Sequence, residues 1–308
     1  MNKQIKSQLA SLFPSMLFNE PLSAHCTFRI GGPADVYIET NDPKPIIQAL
    51  KKLKIQFLVI GGGSNVLFHE FGFRGAVLKL TQNPKNLTFT KTTLTADAGI
   101  PLQTLIKKAI QKGFYNLTAL TGIPGTLGGA IRGNAGANGA EIKDFLIKAK
   151  ILNPKTARTR TATPASLKLK YRDSSLKHTN EIVLQATLRL SKAAKYKNLA
   201  QELSQKRTST QPYGLSAGSF FKNPTSATPL ANHHLKAGYL IDQCGLKGRK
   251  IGGAQISPKH ANFIENINDP RHPATQKDVL ALAALAKKAV QKRFKITLKE
   301  EVQIIPEK

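Results

Sequence analysis

The sequence has no tryptophan and only two cysteines, Cys26 and Cys244, in 308 residues. Two cysteines without a Cys-x-x-Cys pair cannot build a disulfide framework, which excludes a disulfide-rich secreted module. The seven histidines show neither an HExxH motif nor another metal-ligand spacing, so we expect no metal site. Aromatic residues make up only 6% of the chain, and aliphatic side chains must therefore fill the core.

Long apolar runs are also missing from the sequence. Residues 1–16 lack the continuous hydrophobic stretch that is typical of a signal peptide. The longest uncharged stretch, residues 113–131, contains five glycines and Pro124, so it predicts loops and not a membrane span. We therefore expect no membrane insertion and a cytoplasmic location.

Acidic residues are scarce, with 18 Asp and Glu against 46 Lys and Arg, which gives a net charge of +28. Such a balance favours anionic partners, either nucleic acid or phosphorylated small molecules. The basic residues are scattered, and they form no run of like charges that would mark a binding tail. Because the chain also lacks a helix-turn-helix, zinc-finger or RNP-like signature, we expect no nucleic-acid partner.

Hydrophobic patterns predict a mixture of helices and strands. Asp42 and Pro43 begin a predicted helix, residues 101–112 form another, and Thr275 with Asp278 is typical of a capping box that starts a third. Short apolar or alternating runs predict strands, and these lie at residues 55–60, 76–80, 94–98, 147–152 and 181–190. The short, mostly apolar run at 55–60 is interpreted as a buried strand that enters a tight glycine turn.

Glycine is concentrated in three segments, residues 29–35, 60–67 and 122–139. Glycines allow backbone N–H groups to approach a ligand closely, and a concave row of such groups binds phosphate. The second segment has Val66 where a dinucleotide fingerprint needs its third glycine. The third segment has Asn134 where a phosphate loop needs lysine. The segments therefore indicate a phosphate-binding site of a different architecture.

Six motifs along the chain occur in a specific order. They are RIGGPAD, VIGGGSNVL, GIPGTLGGAIRGNAGANG, YRDS, SAGSFFKNP and SPKHANF. The ordered set resembles the UDP-N-acetylenolpyruvoylglucosamine reductase family, the MurB family, over about residues 27–305. The spacing of 47 positions from Arg172 to Ser219 resembles the shorter subclass of that family, which lacks a tyrosine-bearing loop over the substrate.

The resemblance implies an α+β flavoprotein. Its FAD-binding domain would be of the PCMH/vanillyl-alcohol-oxidase type with two lobes, residues 1–80 and 81–195, and residues 196–308 would form a C-terminal α/β substrate-binding domain. NADPH would reduce FAD, and the reduced flavin would convert UDP-N-acetylglucosamine enolpyruvate to UDP-N-acetylmuramate, a precursor of peptidoglycan. By the same resemblance, the FAD-binding residues are Arg29, Gly31, Gly61, Gly62, Gly63, Ser64, Asn65, Gly122, Ile123, Pro124, Gly125, Gly128, Gly129, Asn134 and Gly136.

The implied reaction assigns three catalytic residues. A hydride on the terminal vinyl carbon leaves an enolate beside the carboxylate, which needs electrostatic stabilisation and then a proton. Arg172 suits the stabilisation, and Ser219 suits the proton transfer. Glu301 is expected to assist at the carboxylate end in a protonated or proton-sharing form, with the adjacent Glu300 as the competing candidate.

Three further residues are expected to bind the substrate, namely Tyr171, Arg207 and Asn223. Three alternative functions stay open at this point. They are a nucleic-acid-binding protein suggested by charge, a flavoprotein that binds FAD without turnover, and another FAD-dependent oxidoreductase of the same flavin fold, such as an oxidase that uses oxygen.

Overall fold

The computed structural model describes residues 3–83, 86–192, 199–224 and 236–306. The chain divides into two compact units that are interleaved along the sequence. Unit 1 comprises Met1–Glu20, Ala34–Gly62 and Arg74–Lys206, and unit 2 comprises Pro21–Pro33, Gly63–Phe73 and Arg207–Lys308. The three-part division at residues 80 and 195 stays a prediction, and its second boundary falls among residues 193–198, outside the described part of the chain.

Helices and strands are distributed over both units. The described helices are α1 (Lys3–Leu12), α2 (Pro43–Lys52), α3 (Leu102–Gln111), α4 (Leu127–Gly133), α5 (Leu176–Thr179), α6 (Leu199–Thr210), α7 (Ala237–Gln243) and α8 (Gln276–Phe294). Short 3-10 helices occupy Leu22–His25, Asn116–Leu120 and Ile142–Asp144. The strands are β1 (Leu17–Pro21), β2 (Pro33–Thr40), β3 (Phe57–Ile60), β4 (Val66–Phe68), β5 (Phe73–Leu80), β6 (Thr88–Phe89), β7 (Thr93–Asp97), β8 (Gly136–Ala137), β9 (Ala140–Glu141), β10 (Leu146–Leu152), β11 (Thr159–Ala162), β12 (Ile182–Arg189), β13 (Lys250–Ile251), β14 (Ala254–Ile256), β15 (Ile264–Asn266) and β16 (Gln303–Ile305).

A four-stranded sheet in the order β1-β2-β5-β3 receives helix α2 on one face. The predicted helix start is confirmed, because the Asp42 side chain accepts a hydrogen bond from the Lys44 N–H at 3.2 Å and Pro43 is the first helical residue. Ile47 and Leu50 are fully buried against the sheet. The apolar stripe of α2 therefore forms part of this core, as its 3.6-residue period predicts.

The prediction that residues 55–60 form a buried strand is partly wrong. The strand begins at Phe57, and its first three residues are only half-buried. It pairs in parallel with β5 and occupies the edge of the sheet. A short, mostly apolar run looks the same in a central strand and in an edge strand, so the pattern could not indicate this position.

A five-stranded sheet in the order β11-β10-β12-β7-β6 is antiparallel throughout. The strands predicted near residues 94–98, 147–152 and 181–190 are confirmed as β7, β10 and β12. Apolar side chains from α3, α4 and these strands form one buried cluster. The sheet thus has one face on this core, and its polar residues alternate onto the other face.

Unit 2 contains the three-stranded antiparallel sheet β13-β14-β15 and the parallel pair β4-β16. The capping box of α8 is confirmed, because the Asp278 N–H donates to Thr275 Oγ1 at 3.1 Å and the Thr275 N–H donates to Asp278 Oδ2 at 3.0 Å. Val279, Leu282 and Val290 on one side of α8 are fully buried. This reciprocal cap and the buried stripe explain why the helix could be predicted from the sequence.

Within the described residues, no helix has the length and apolarity that crossing a membrane requires. The same part of the chain holds no group of three or more His, Cys, Asp or Glu side chains that could bind a metal ion.

Candidate active site

Two glycine turns lie against each other in unit 1. A Cβ atom on Gly61 would lie 2.3 Å from Thr126 Oγ1, and one on Gly62 would lie 3.0 Å from the Cα of Gly125. Any side chain at Gly61 would therefore displace Thr126. The structure thus brings the second and third glycine segments together: Gly61 packs against the Thr126 side chain, and Gly62 packs against the backbone of Gly125.

The third glycine segment is held by the residues that precede it. Gln103 Oε1 accepts a hydrogen bond from the Gly122 N–H at 2.9 Å, and Gln103 Nε2 donates to the Ile123 carbonyl at 2.8 Å. The Gly125 carbonyl accepts from the Leu102 N–H at 3.0 Å. Pro124 is exposed at the tip of the turn. Gln103 was not predicted as a site residue, since nothing in the sequence distinguishes it from other polar residues of α3.

Helix α4 continues from this turn. Thr126 caps the helix, because its Oγ1 accepts from the Gly129 N–H at 3.3 Å. The Gly128 N–H is directed at the Ala98 carbonyl at 2.8 Å, and a Cβ atom on Gly128 would lie 2.8 Å from the Cβ of Ala98. Gly129 is exposed, and a Cβ atom there would make only an ordinary contact of 3.6 Å with Thr126 Oγ1. Gly128 is therefore needed for packing, whereas Gly129 faces open space.

Asn134 ends α4 in the left-handed conformation with φ 42°. Its side chain is fully buried, with Nδ2 donating to the Lys170 carbonyl at 2.9 Å and to Glu141 Oε2 at 3.0 Å. Its Oδ1 accepts from the Lys143 N–H at 3.2 Å. The Asn134 side chain thus forms its hydrogen bonds with other groups of the protein, and it holds the β8-β9 hairpin that carries Gly136.

Arg172 lies beside this hairpin, again within unit 1. Its Nη2 donates to the Gly136 carbonyl at 2.8 Å, and its guanidinium carbon lies 5.5 Å from the centroid of the Tyr171 ring. Arg172 adopts a positive φ of 53°, and Lys177 Nζ donates to the Arg172 carbonyl at 2.7 Å. These contacts give the guanidinium one orientation. The structure therefore brings Arg172 together with two other predicted residues, Tyr171 and Gly136.

The remaining predicted cofactor residues lie in unit 2. Arg29 is exposed with a φ of 54°, and a Cβ atom on Gly31 would lie 2.9 Å from the Cβ of Phe68. Ser64 is half-buried in the turn before β4. Asn65 Nδ2 donates to the Glu301 carbonyl at 3.2 Å, and its own carbonyl accepts from the Gln303 N–H at 3.1 Å. Asn65 thus links the second glycine segment to the C-terminal strand.

Gly63 packs against residues that the sequence placed outside the glycine segments. A Cβ atom on Gly63 would lie 2.0 Å from the His25 carbonyl oxygen and 2.8 Å from the Cα of Cys26. The Cys26 thiol is buried and donates to the Ile30 carbonyl at 3.3 Å. Burial raises the pKa of this thiol, so it stays protonated and is a poor nucleophile.

Ser219 and Glu301 lie on neighbouring extended segments of unit 2. The Glu301 N–H donates to the carbonyl of Phe220, the residue after Ser219, at 2.8 Å. Ser219 itself forms an antiparallel bridge with Phe263 on the other side. Both Ser219 and Glu301 are half-buried. The structure therefore brings these two predicted catalytic residues together, although the sequence separates them by more than 80 positions.

Glu300, the competing candidate, has a structural partner. Lys287 of α8 donates to Glu300 Oε1 at 2.9 Å. This ion pair links α8 to the C-terminal segment, so Glu300 has a structural contact of its own in the protein. The assignment of the functional carboxyl group to Glu301 stays a prediction.

The last two predicted substrate residues also belong to unit 2. Asn223 is exposed, and its Oδ1 accepts from the Ala237 N–H at 3.0 Å, so it caps the start of α7. Arg207 lies in α6, but its side chain lies outside the described part of the chain.

The unit 1 residues fit a flavin nucleotide. The contact between Gly62 and Gly125 is made by backbone atoms, and Gly129 leaves the exposed face of α4 without a side chain. Such side-chain-free turns accommodate a diphosphate, which needs close approach of N–H groups. Arg172 lies in the same unit and supplies a fixed cation. Gly61, Gly62, Gly125 and Gly129, called the glycine cradle below, and this cation fit the class of flavin-dependent oxidoreductases that the sequence predicts.

Comparisons with known proteins agree with this class. A profile of the FAD binding domain matches residues 39–162, and a profile of the UDP-N-acetylenolpyruvoylglucosamine reductase C-terminal domain matches residues 211–305. The chain is 39% identical over 298 residues to UDP-N-acetylenolpyruvoylglucosamine reductase of Alkaliphilus oremlandii, which covers 95% of this chain and 94% of the relative. It is 38% identical to the enzyme of the same name from Bacillus subtilis, with 99% of each chain covered.

A solved structure agrees with the fold as well. The crystal structure of UDP-N-acetylenolpyruvylglucosamine reductase (MurB) from Thermus caldophilus is similar with a TM-score of 0.73 at 31% identity, and it covers 95% of this chain and 98% of that one. The chain belongs to the UDP-N-acetylenolpyruvoylglucosamine reductase family. It is an FAD-dependent oxidoreductase that uses NADPH as reductant, and the predicted fold class, family and cofactors are confirmed.

Proposed function

We propose that this protein reduces the enolpyruvyl ether of UDP-N-acetylglucosamine to UDP-N-acetylmuramate in the synthesis of peptidoglycan precursors. The observation that supports the proposal is the hydrogen bond of 2.8 Å from the Glu301 N–H to the carbonyl of Phe220, the residue that follows Ser219. FAD, when bound, supplies the two-electron carrier between NADPH and the substrate. The residues of the chain then have to hold the substrate, stabilise charge and deliver one proton.

Arg172 holds the substrate carboxylate in this proposal. Negative charge develops at that end once a hydride has reached the terminal vinyl carbon, and guanidinium is permanently positive and planar. The bond to the Gly136 carbonyl at 2.8 Å and the ring of Tyr171 fix its plane in advance. A cation that is already oriented stabilises developing charge without reorganisation.

Ser219 donates the proton to the carbon next to the carboxylate. A serine hydroxyl is a weak acid, but an enolate is strongly basic, so a positioned hydroxyl is a sufficient donor. Glu301 assists at the carboxylate end in a protonated or proton-sharing form. The ion pair of Glu300 with Lys287 gives that residue a structural role and supports the choice of Glu301.

Tyr171, Arg207 and Asn223 bind the substrate in this proposal, and Arg207 is assigned to the diphosphate. A basic residue at position 207 suits a diphosphate, and the net charge of +28 draws both anionic ligands toward the protein. The division into an FAD-binding domain, with lobes 1–80 and 81–195, and a substrate-binding domain, residues 196–308, belongs to the same proposal.

The main alternative is an oxidase of the same flavin fold, and product analysis separates the two functions. The purified protein is mixed with NADPH and the enolpyruvyl substrate under air, and the products are analysed by mass spectrometry and a peroxide assay. We expect a UDP-sugar that is heavier by one hydride and one proton, formed in proportion to NADPH consumed. Peroxide in that proportion, with unchanged UDP-sugar, would establish the oxidase instead.

Bound FAD is expected to be non-covalent. The backbones of His25 and Cys26 pack against Gly63, but the Cys26 thiol is buried and donates to the Ile30 carbonyl. Its raised pKa leaves little thiolate to attack a flavin. The measurement is acid precipitation followed by centrifugation. Yellow flavin belongs in the supernatant, and flavin that stays with the pellet would contradict the prediction.

Substitution of Gly129 by alanine tests the glycine cradle without disturbing the fold. The new methyl group makes only an ordinary contact of 3.6 Å within the protein, yet it projects from the exposed face of α4. We expect FAD affinity to fall about tenfold, which corresponds to about 1.4 kcal/mol. Fluorescence titration of the apoprotein with FAD measures the change.

Gly133→Ala is the matched control for this test. Gly133 lies one turn further along α4, and a Cβ atom there meets nothing within 4 Å. We expect its FAD affinity to match that of the wild-type protein. Equal affinities of the two variants would show that Gly129 does not face the cofactor.

The proposal also includes a cytoplasmic location and the absence of a nucleic-acid partner. Its two ligands, a UDP-sugar and NADPH, are metabolites of the cytoplasm. Both are anions, so the excess of basic residues requires no nucleic-acid partner. Cell fractionation tests the location, and a gel-shift assay against duplex and single-stranded nucleic acid at physiological salt tests the partner.

A further inference from the structure

Asn262 is nearly inaccessible to solvent and makes three hydrogen bonds to the segment that carries Ser219. Its carbonyl accepts from the Phe220 N–H at 2.7 Å. Its side chain clamps the backbone of Phe221, the residue after Phe220. Oδ1 accepts from the Phe221 N–H at 3.0 Å, and Nδ2 donates to the Phe221 carbonyl at 2.9 Å. The SPKHANF motif contains this asparagine, and the proposed function gives it no role.

A glycine on the N-terminal side of Ser219 makes the contacts on its C-terminal side important for its position. Gly218 directly precedes Ser219 and adopts a φ of 77°, and a Cβ atom there would meet nothing within 4 Å. No side chain of Gly218 can therefore restrain the Ser219 backbone from that side. The Ser219 backbone pairs with Phe263, and the two residues on its C-terminal side, Phe220 and Phe221, are bound to Asn262.

Asn262 is itself held by its neighbours. Its N–H donates to His260 Nδ1 at 3.2 Å, and the Phe263 N–H donates to the His260 carbonyl at 2.9 Å. The rings of His260 and Phe263 meet edge to face with centroids 4.9 Å apart. Burial lowers the pKa of His260, which keeps Nδ1 available as an acceptor. The clamp is therefore a rigid turn and not a single mobile side chain.

We propose that Asn262 is a positioning residue that orients Ser219 for proton transfer to the substrate. The inference rests on the proposed function, in which Ser219 is the proton donor. A displacement of about 1 Å at a reacting group costs about 10²-fold in rate. Loss of the Phe221 clamp is therefore expected to act on the proton-transfer step alone.

Asn116 in unit 1 provides a matched control. It is also a buried asparagine that clamps backbone, with Nδ2 donating to the Arg189 carbonyl at 2.9 Å and Oδ1 accepting from the Ser191 N–H at 2.8 Å. Neither Arg189 nor Ser191 is assigned to cofactor or substrate. Asn116→Leu thus removes one side-chain bond to a backbone carbonyl and one from a backbone N–H, as Asn262→Leu does, with the same change of side chain.

The experiment follows both half-reactions by stopped-flow absorbance of the holoenzyme. For Asn262→Leu we expect reoxidation by the enolpyruvyl substrate to be about 10²-fold slower, with flavin reduction by NADPH within about twofold of wild type. Asn116→Leu is expected to lower the melting temperature and to leave both half-reactions within about twofold. Equal slowing of both half-reactions in Asn262→Leu would overturn the proposal.

A double-mutant cycle with Ser219→Ala then decides whether Asn262 acts through Ser219. We expect Asn262→Leu/Ser219→Ala to reoxidise as slowly as Ser219→Ala alone, because an absent hydroxyl cannot be misplaced. Multiplied losses in the double variant would overturn the positioning role and leave the acid role intact. A Ser219→Ala protein at wild-type speed would overturn both roles.

Asn262→Asp serves if the leucine variant does not fold. The carboxylate keeps the acceptor for the Phe221 N–H but loses the donor to the Phe221 carbonyl. We expect slowing of reoxidation that is smaller than for leucine and is again confined to that half-reaction. Wild-type reoxidation in this variant would contradict the proposal.

Discussion

Replacement of Ser219 by alanine is expected to slow reoxidation of the flavin by the enolpyruvyl substrate about 10²–10⁴-fold. The enolate that hydride transfer creates must be protonated, and without the hydroxyl only water can do so. The backbone bonds that fix this segment come from Phe220 and Phe221, so the alanine variant retains them. Reduction of FAD by NADPH uses no proton from Ser219 and should remain near the wild-type rate.

Two variants control the Ser219→Ala experiment. Ser257→Ala removes a fully buried hydroxyl of the same unit, whose Oγ accepts from the Lys259 N–H at 3.2 Å, and should leave both half-reactions near wild type. Ser219→Cys should retain partial activity, since a thiol also donates a proton. The acid role is refuted if Ser219→Ala slows both half-reactions equally or neither.

The second large effect is expected for Arg172→Lys, with a fall of about 10²-fold in reoxidation by the substrate. Lysine keeps the charge but lacks the planar fork, so it cannot hold the Gly136 carbonyl and grip a carboxylate at the same time. FAD should remain bound, and flavin reduction by NADPH should change little. Single-turnover reoxidation under anaerobic conditions measures the effect.

Arg160→Lys is the control for this substitution. Arg160 grips Glu181 with two hydrogen bonds of 3.0 and 2.7 Å in the same unit, so the variant also loses a fork-shaped contact. It should lower stability and leave both half-reactions unchanged. Reoxidation of Arg172→Lys within about twofold of wild type would show that Arg172 is not at the reacting carboxylate.

Elements with their own local signals could be predicted from the sequence. Helices α2 and α8 each begin at a capping residue, Asp42 and Thr275, and carry an apolar stripe of helical period. The strand at Phe57–Ile60 was found, but its edge position was not, because position in a sheet depends on partners distant in sequence. Local patterns therefore predict the type of an element better than its surroundings.

The residues of the candidate site could also be predicted from local motifs, whereas their contacts could not. The motif order indicated Gly61, Arg172 and Ser219, but no pattern could show that Thr126 limits the space at Gly61 or that Glu301 lies beside Phe220. Asn262 was part of a recognised motif and still received no role. The role proposed for it depends on two hydrogen bonds from its side chain to the backbone of Phe221, which lies 41 positions earlier in the chain.

An anaerobic titration tests the central claim most directly. The yellow holoprotein is first bleached with one equivalent of NADPH, and the enolpyruvyl substrate is then added in the absence of oxygen. We predict that the flavin absorbance returns fully with one equivalent of substrate and that UDP-N-acetylmuramate forms in the same amount. A flavin that stays reduced until air is admitted would contradict the assignment of this chain as a reductase of that substrate.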